Sequence, residues 1–343
     1  MAGSEAPPFW YQQRSFGRYA LAPVSWLYGA VARWRMDRAR PPAVMAPVLC
    51  IGNLTVGGSG KTPTAIAMAK AVRAAGYSPG FLTRGYGGSH AGPHMVDLEA
   101  DTAMAVGDEP LLLARVAPTV VAHNRAAGAQ YLVDRGIDFM IMDDGFQSRR
   151  VHFDYALIAL DARRGIGNGA VIPAGPLRAP LIDQMRHADA LLRIGDGPGG
   201  IAVVRAASRA AKPILRADFV PEPLEGLEGR SVLAYSGIAD PSKFYETLTA
   251  AGYTIGAKRS FGDHHVFTEG EAAELLAMAR AENLVPVTTE KDIVRLTRLE
   301  GPVAELRAIS KALPVDLVFE NQVVLASLIE DVAKRYHKRR ITG

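Results

Sequence analysis

A stretch of this chain reads Thr55-Val56-Gly57-Gly58-Ser59-Gly60-Lys61-Thr62, between an apolar run and a helical one. Glycines at this spacing let successive backbone N–H groups turn inward around phosphate oxygens. A helix starting at the end of the loop aims its positive dipole end at the same place. Lys61 is then placed for β- and γ-phosphates and the Thr62 hydroxyl for Mg²⁺. The common pattern opens with glycine where this chain has Thr55, but Gly57 and Gly58 supply the permissive backbone inside the loop. The intact Gly60-Lys61-Thr62 argues against a merely structural glycine turn.

Carboxylates follow in two places. Ile141-Met142-Asp143-Asp144-Gly145 is an apolar strand ending in acids, where one carboxylate would hold Mg²⁺ or its waters. Two adjacent acids after a buried strand repel each other without a cation or basic partner, although the residues alone do not say which of Asp143 and Asp144 takes the metal. Gly107-Asp108-Glu109-Pro110 precedes a helix. Asp108 reads either as a helix cap or as the carboxylate that phosphoryl transfer to an alcohol needs near the attacking hydroxyl. Glu109 is a candidate for the metal side. Arg125, Arg149, Arg150 and Arg178 sit in or beside loops of the same half, where guanidinium groups neutralise charge on a transferring phosphate. Arg125 and Arg178 are the stronger candidates. Further on, Phe261-Gly262-Asp263-His264-His265 closes a strand-like stretch without a third nitrogen or sulfur ligand at zinc spacing. One of its histidines is a candidate general acid/base. Thr288-Thr289-Glu290-Lys291-Asp292 reads as a helix cap with charge pairing.

These residues need a scaffold, and the pattern around them supplies one. Strands are predicted at Val48 to Gly52, Gly80 to Thr83, Thr119 to Ala122, Asp138 to Met142 and Tyr155 to Leu160. Helices are predicted at Thr64 to Ala75, Glu109 to Val116 and Arg125 to Arg135. Such alternation points to an α/β fold, a P-loop core with a mostly parallel sheet covered on both faces. Proline-rich, weakly periodic residues 206–230 read as a linker. A second, smaller α/β domain is expected over 231–343, with strands at Ser231 to Tyr235, Pro286 to Thr289 and Asp316 to Phe319. Its helices are expected at Pro241 to Ala251, Glu269 to Glu282 and Asn321 to Tyr336. The core domain would span 43–205, and a length of 343 residues accommodates two such cores.

Residues 1–42 stand apart. Trp10, Trp26 and Trp34, the three tryptophans of the chain, all lie there. Leu27, Ala30, Val31 and Trp34 fall at helical spacing, and Arg33, Arg35, Arg38 and Arg40 follow. This reads as an amphipathic helix with a basic edge, packed on the protein or lying on an anionic membrane surface. The run Tyr19 to Ala32 is too short to span a bilayer, contains Pro23 and lacks the flanks of a signal peptide. The chain therefore reads as unprocessed and cytoplasmic. A net charge of +4 fits an anionic partner without choosing among nucleic acid, phosphorylated substrate and membrane. Cys50, the one cysteine, reads as a small buried apolar residue. The basic carboxyl-terminal residues Lys334, Arg335, Lys338, Arg339 and Arg340 read as a solvated helix end.

Taken in order, several motifs resemble the tetraacyldisaccharide 4'-kinase family, the lipid A 4'-kinases of Gram-negative bacteria. They are Gly52 through Thr62, Thr83 through Gly88, Gly107 through Pro110, Asp143 through Gln147, Pro173 through Arg178, Phe261 through His265 and Thr288 through Asp292. The resemblance runs from about Trp10 to Val332. It implies a peripheral enzyme on the cytoplasmic face of the inner membrane. The implied reaction transfers the γ-phosphate of ATP to the 4'-hydroxyl of a tetraacylated disaccharide 1-phosphate, giving lipid IVA, with Mg²⁺. It further implies that Thr55 to Thr62 bind ATP, that Asp108 works with His264 as a catalytic pair, and that Glu109, Asp143 and Asp144 lie on the metal side. Arg125, Gln147 and Arg178 would lie near phosphate or substrate. An acid commonly follows the arginine of the Pro-Leu-Arg segment, whereas this chain has Ala179. No obligate protein partner is implied. Two other readings compete. A P-loop GTPase of metallochaperone or transport type has a similar loop, but Thr289-Glu290-Lys291-Asp292 only partly imitates a guanine-selecting element. A basic ATP-dependent nucleic-acid binder lacks an interleaved aromatic and basic platform, so nucleic acid is not an expected partner.

Overall fold

The computed structural model describes residues 6–227, 229–296 and 300–342. Its strands are β1 (Val48–Asn53), β2 (Pro79–Thr83), β3 (His94–Met95), β4 (Thr119–Val121), β5 (Phe139–Asp143), β6 (Tyr155–Asp161) and β7 (Ala190–Ile194). They continue with β8 (Ile214–Pro221), β9 (Ser231–Ser236), β10 (Thr254–Ser260), β11 (Val285–Thr289), β12 (Lys311–Leu313) and β13 (Val315–Phe319). The large sheet has the order β13-β8-β7-β6-β1-β5-β2-β4-β3 and the small one β10-β9-β11-β12. In the large sheet every pair is parallel except the edge pairs β13–β8 and β3–β4.

All of β1 is buried because both faces of the sheet are covered. Alternate residues serve the two faces. Leu49 and Ile51 pack with Ala65, Met68, Ala69 and Val72 of the helix Lys61–Ala74, while Val48 and Cys50 join Leu132 and Met185 on the other side. Burial raises the Cys50 thiol far above its ordinary range, consistent with an inert core residue.

Two expected boundaries move. Residues 206–230 are not simply a linker, because they include the end of the helix Ile201–Arg209 and all of β8. The strand alternates, with Leu215 and Ala217 buried against exposed Arg216 and Asp218, and its prolines flank rather than interrupt it. Asp316–Phe319 belongs not to the second unit but to β13, which returns antiparallel to β8 in the large sheet. The helix Gln322–Thr342 then lays Leu325, Leu328, Ile329 and Val332 on the face that holds Leu49. The smaller lobe is therefore an insertion between β8 and β13. Arg335 and Arg339 in the last helix are tied to the core, to Asp189 at 2.6 Å and Asp154 at 2.9 Å.

At the other end the chain forms a helix over Ala22–Arg38. Its docking face is not the apolar stripe. Ser25, Gly29 and Met36 are buried, with the Ser25 hydroxyl accepting from the Ala174 amide at 2.8 Å, whereas Trp26, Leu27, Val31 and Trp34 face outward. Small residues permit the close approach, and the large ones are left on the surface.

Candidate active site

The loop Thr55–Gly60 connects β1 to the helix Lys61–Ala74, and Gly57 and Gly60 hold φ of +102° and +83°, where glycine is at no steric disadvantage. A Cβ on Gly60 would also come within 2.7 Å of Ile194. Asn53 holds the turn from beneath, its Nδ2 donating to the Thr55 and Gly57 carbonyls at 2.7 and 3.3 Å. Thr62 and Ser59 are buried, and the Ser59 hydroxyl meets no partner among the described residues. Leu177 bridges to Thr55, and Pro176 accepts from the Val56 amide at 2.8 Å, so the Pro173–Arg178 segment lies beside the loop.

At the end of β5 the two acids part company. Asp144, at φ +56°, is met by Arg178 at 2.7 Å and Lys61 at 3.9 Å. Burial works against its charge, but Lys61 and Arg178 hold its carboxyl below the usual range. Asp143 is fully buried and neither of its oxygens finds a hydrogen-bond partner among the described residues. Burial, together with the nearby Glu109 charge, pushes it up to about 7. An orphaned carboxylate of this kind beside a P-loop fits a divalent cation, with Thr62, Asp143 and Glu109 as the groups to hold it. Arg125 lies under this turn, donating to the Asp144 carbonyl at 2.8 Å and to the Leu82 and Asp143 carbonyls at longer range. Arg178 is half-buried and also donates through Nε to the Thr55 carbonyl at 3.1 Å. Gln147 donates to the Asn53 carbonyl at 2.6 Å and to Gln184 at 3.0 Å, bracing the loop from the side.

Asp108 opens the helix Asp108–Ala114 with its carboxylate buried at the junction with the smaller lobe. Its Oδ2 lies 3.2 Å from His264 Nδ1 and 3.0 Å from Arg295 Nε, and Arg295 Nη2 also bonds it. Despite burial, His264, Arg295 and Lys291 hold Asp108 well below the ordinary carboxylate range. His264, at φ +58°, is raised chiefly by its hydrogen bond to Asp108. Arg295 Nη2 also lies 3.3 Å from Nδ1, but the closer carboxylate favours the proton on Nδ1, which leaves Nε2 as the acceptor, 3.9 Å from Asp263 Oδ2. His265 is turned elsewhere, 2.9 Å from Glu271 and stacked on Phe261.

Glu109 is met by Lys291 from the other lobe at 2.7 Å. Thr289 does cap the helix Glu290–Ile293, accepting from the Asp292 amide at 3.2 Å. Sequence reasoning stopped at that cap and missed the arginine three residues past Asp292. Arg295 joins Asp292, Asp108 and the Gly237 carbonyl in one buried knot. The available signal was its i,i+3 spacing from Asp292. Arg149 donates to the Met36 carbonyl and meets His187, each at 3.0 Å, and Arg150 approaches the His123 carbonyl at 3.5 Å. The side chain of Ala179, one residue past Arg178, is buried in the core.

A cleft of about 860 Å³ opens between the helix Ala22–Arg38 and residues 169–183, with Trp26, Gly29, Arg33, Val171 and Pro180 on its walls. A family model described as tetraacyldisaccharide-1-P 4'-kinase (LpxK) matches residues 18–334. The chain belongs to this family. Among its relatives, the tetraacyldisaccharide 4'-kinase of Chelativorans sp. (strain BNC1) is 51% identical over 341 residues, covering 99% of both chains. That of Brucella melitensis biotype 2 is 49% identical over 336 residues, covering 98% of both. A crystal structure titled as the "apo" form of LpxK from Aquifex aeolicus in complex with ATP is similar with a TM-score of 0.71 and 25% identity, covering 93% of this chain and 99% of that one. The LpxK family assignment and this structural likeness together identify a P-loop α/β kinase fold.

Proposed function

We infer that the chain is a tetraacyldisaccharide 4'-kinase, moving the γ-phosphoryl group of ATP to the 4'-hydroxyl of a tetraacylated disaccharide 1-phosphate in lipid A biosynthesis. The observation that carries the mechanism is the meeting of Asp108 and His264 from two lobes, beside an orphaned Asp143 and the P-loop. Thr55 to Thr62 cradle the nucleotide phosphates, with Lys61 at the β- and γ-oxygens. Magnesium supplies positive charge at the phosphates when bound, and Thr62, Asp143 and Glu109 are the residues to hold it. Arg178 belongs at the transferring phosphate, while Arg125 fixes the Asp143-Asp144 backbone. His264 Nε2 receives the acceptor hydroxyl proton, and Asp108 orients the ring and stabilises the imidazolium that results.

The acceptor fits the cleft beside the helix Ala22–Arg38. Arg178 stands at the phosphate end of the chain segment and Pro180, two residues on, in the cleft wall, so one short stretch joins the two subsites. The outer surface of that helix supports a seat on the anionic inner-membrane face: Trp26 is 76% and Trp34 57% exposed, with arginines around them. No described helix is long and apolar enough to cross a membrane.

Incubation with γ-labelled ATP, Mg²⁺ and purified acceptor glycolipid should give a labelled product phosphorylated at the 4' position by mass spectrometry. Lys61→Ala should abolish transfer while the protein stays folded. Label at another position, or near-normal turnover by that variant, overturns the assignment.

A further inference from the structure

Away from the catalytic acids, residues 84–101 loop over the edge of the large sheet and bring two histidines and an aspartate together. The His90 and His94 rings stack with centroids 4.2 Å apart and planes 2° from parallel. His94 Nε2 lies 2.7 Å from Asp101 Oδ2. One donor atom from each of the three falls within 4.8 Å of the others. Each residue is separately anchored. His94 lies on β3 opposite Val121 of β4, the His90 amide donates to the Ala105 carbonyl at 3.0 Å, and Asp101 Oδ2 accepts from the Asp97 amide at 2.8 Å.

We propose that His90, His94 and Asp101 form a binding site for a divalent transition-metal ion such as zinc, distinct from the magnesium position at the P-loop. Two imidazole nitrogens and one carboxylate oxygen make the borderline donor set that zinc takes in three-ligand sites, with solvent as a fourth partner. Magnesium, which demands oxygen ligands, is poorly served by it. Bonds of about 2.0–2.1 Å to the ion require ligand atoms roughly 3.3 Å apart in a tetrahedron. His94 and Asp101 would therefore open slightly as the ion replaces the proton between them, and all three side chains are only partly buried, so rotation is available. Stacked rings aim their lone pairs side by side, so His90 must tilt to converge. The anchors on either side of it are backbone bonds and leave that torsion free.

The location gives such an ion a structural consequence. Asp101 leads into the helix Ala103–Val106, which passes through Gly107 directly to Asp108. Ser89 and His90 amides bond to the carbonyls of that same helix. An ion here braces the segment that delivers Asp108 to the lobe junction.

The test titrates zinc chloride into the intact protein by calorimetry with millimolar Mg²⁺ present, and repeats it with cobalt chloride by visible absorption. One ion per chain should bind, with cobalt giving ligand-field bands. Loss of an outer-shell partner alone costs about 10- to 100-fold in metal affinity, so His94→Ala and His90→Gln should each weaken binding at least tenfold. Zinc should raise the melting temperature of the parent but hardly that of these variants. His264→Gln should keep the site. If His94→Ala fails to fold, His90→Gln decides alone, since it lies in a loop and leaves a polar side chain of similar reach. No stoichiometric binding by the parent, equal binding by His90→Gln, or binding lost only in His264→Gln overturns the proposal.

Discussion

Around Asp108 an anion, a guanidinium and an imidazole share one buried point, and the balance among them sets when the imidazole is free to take a proton. His264 is raised from its ordinary value of 6.5, chiefly by the Asp108 hydrogen bond. Transfer needs the neutral ring, so kcat should fall on the acid side with a midpoint above the ordinary histidine value. Stability moves the other way: a folded value raised above the unfolded one gives stabilisation that is full below the unfolded pKa and fades as pH rises through the folded one. Asp108→Asn removes the group that raises the imidazole. It should lower kcat by about 10² to 10⁴ with little change in ATP affinity, and shift the acid limb downward. A pH–rate profile checks this, and an acid limb that stays put would detach Asp108 from the titrating base. Residue types carried much of this in the sequence, since two acids after an apolar strand and a lysine after glycines have few other uses. The knot around Arg295 was hidden, because a single arginine past a short helix resembles any surface arginine until the fold buries it at 4% side-chain exposure.

For the elements, periodicity found the buried strands of the core except β7 and misjudged the β8–β13 pair beyond it. β8 and β13 have one exposed face and flanking prolines, and so lack the continuous apolar runs that betrayed β1 and β5. The helix Ala22–Arg38 divides its faces in a different way. Its large apolar residues are periodic, yet the face that docks is the small one of Ser25 and Gly29. Hydrophobic spacing reports that a face is meant to leave water, not whether protein or lipid receives it. The proposed membrane seat is testable without deleting the helix, which would take Met36 out of the core. Trp26→Glu together with Trp34→Glu should leave the melting temperature within a few degrees of the parent and sharply reduce co-sedimentation with anionic liposomes. Unchanged sedimentation would mean that this face has another use.

On the scale of the whole molecule, the smaller lobe begins and ends at one place. Pro221 and Val315 are partners in the β8–β13 pair, and the Glu222 amide donates to the Pro314 carbonyl at 3.0 Å. Everything between can in principle be replaced by a short hairpin turn of Asn-Gly type. The energetics favour that separation. Leu233, Leu275 and Leu306 belong to a core that the smaller lobe builds for itself, apart from those on the faces of the large sheet. Across the junction run polar contacts, Glu109 to Lys291, Asp108 to Arg295, the half-buried Asp161 to Lys243 at 3.3 Å and Arg163 to Glu246, the last a surface pair of small worth. Apolar contact there comes from Ile293 and Val294 against Val106, Leu111 and Leu112. Excising residues 223–313 should therefore leave a cooperatively folding core, since the freed Asp108 becomes solvated instead of stranded in a dry site. Nucleotide binding by calorimetry should stay within about tenfold of the parent, because the P-loop, Asp143, Asp144 and Arg178 all remain. Turnover should drop by at least the roughly 10² to 10⁴ assigned to acid–base help, since His264 leaves with the lobe. A core that cannot bind ATP would make the two lobes one folding unit, and turnover close to the parent would remove the smaller lobe from the chemistry.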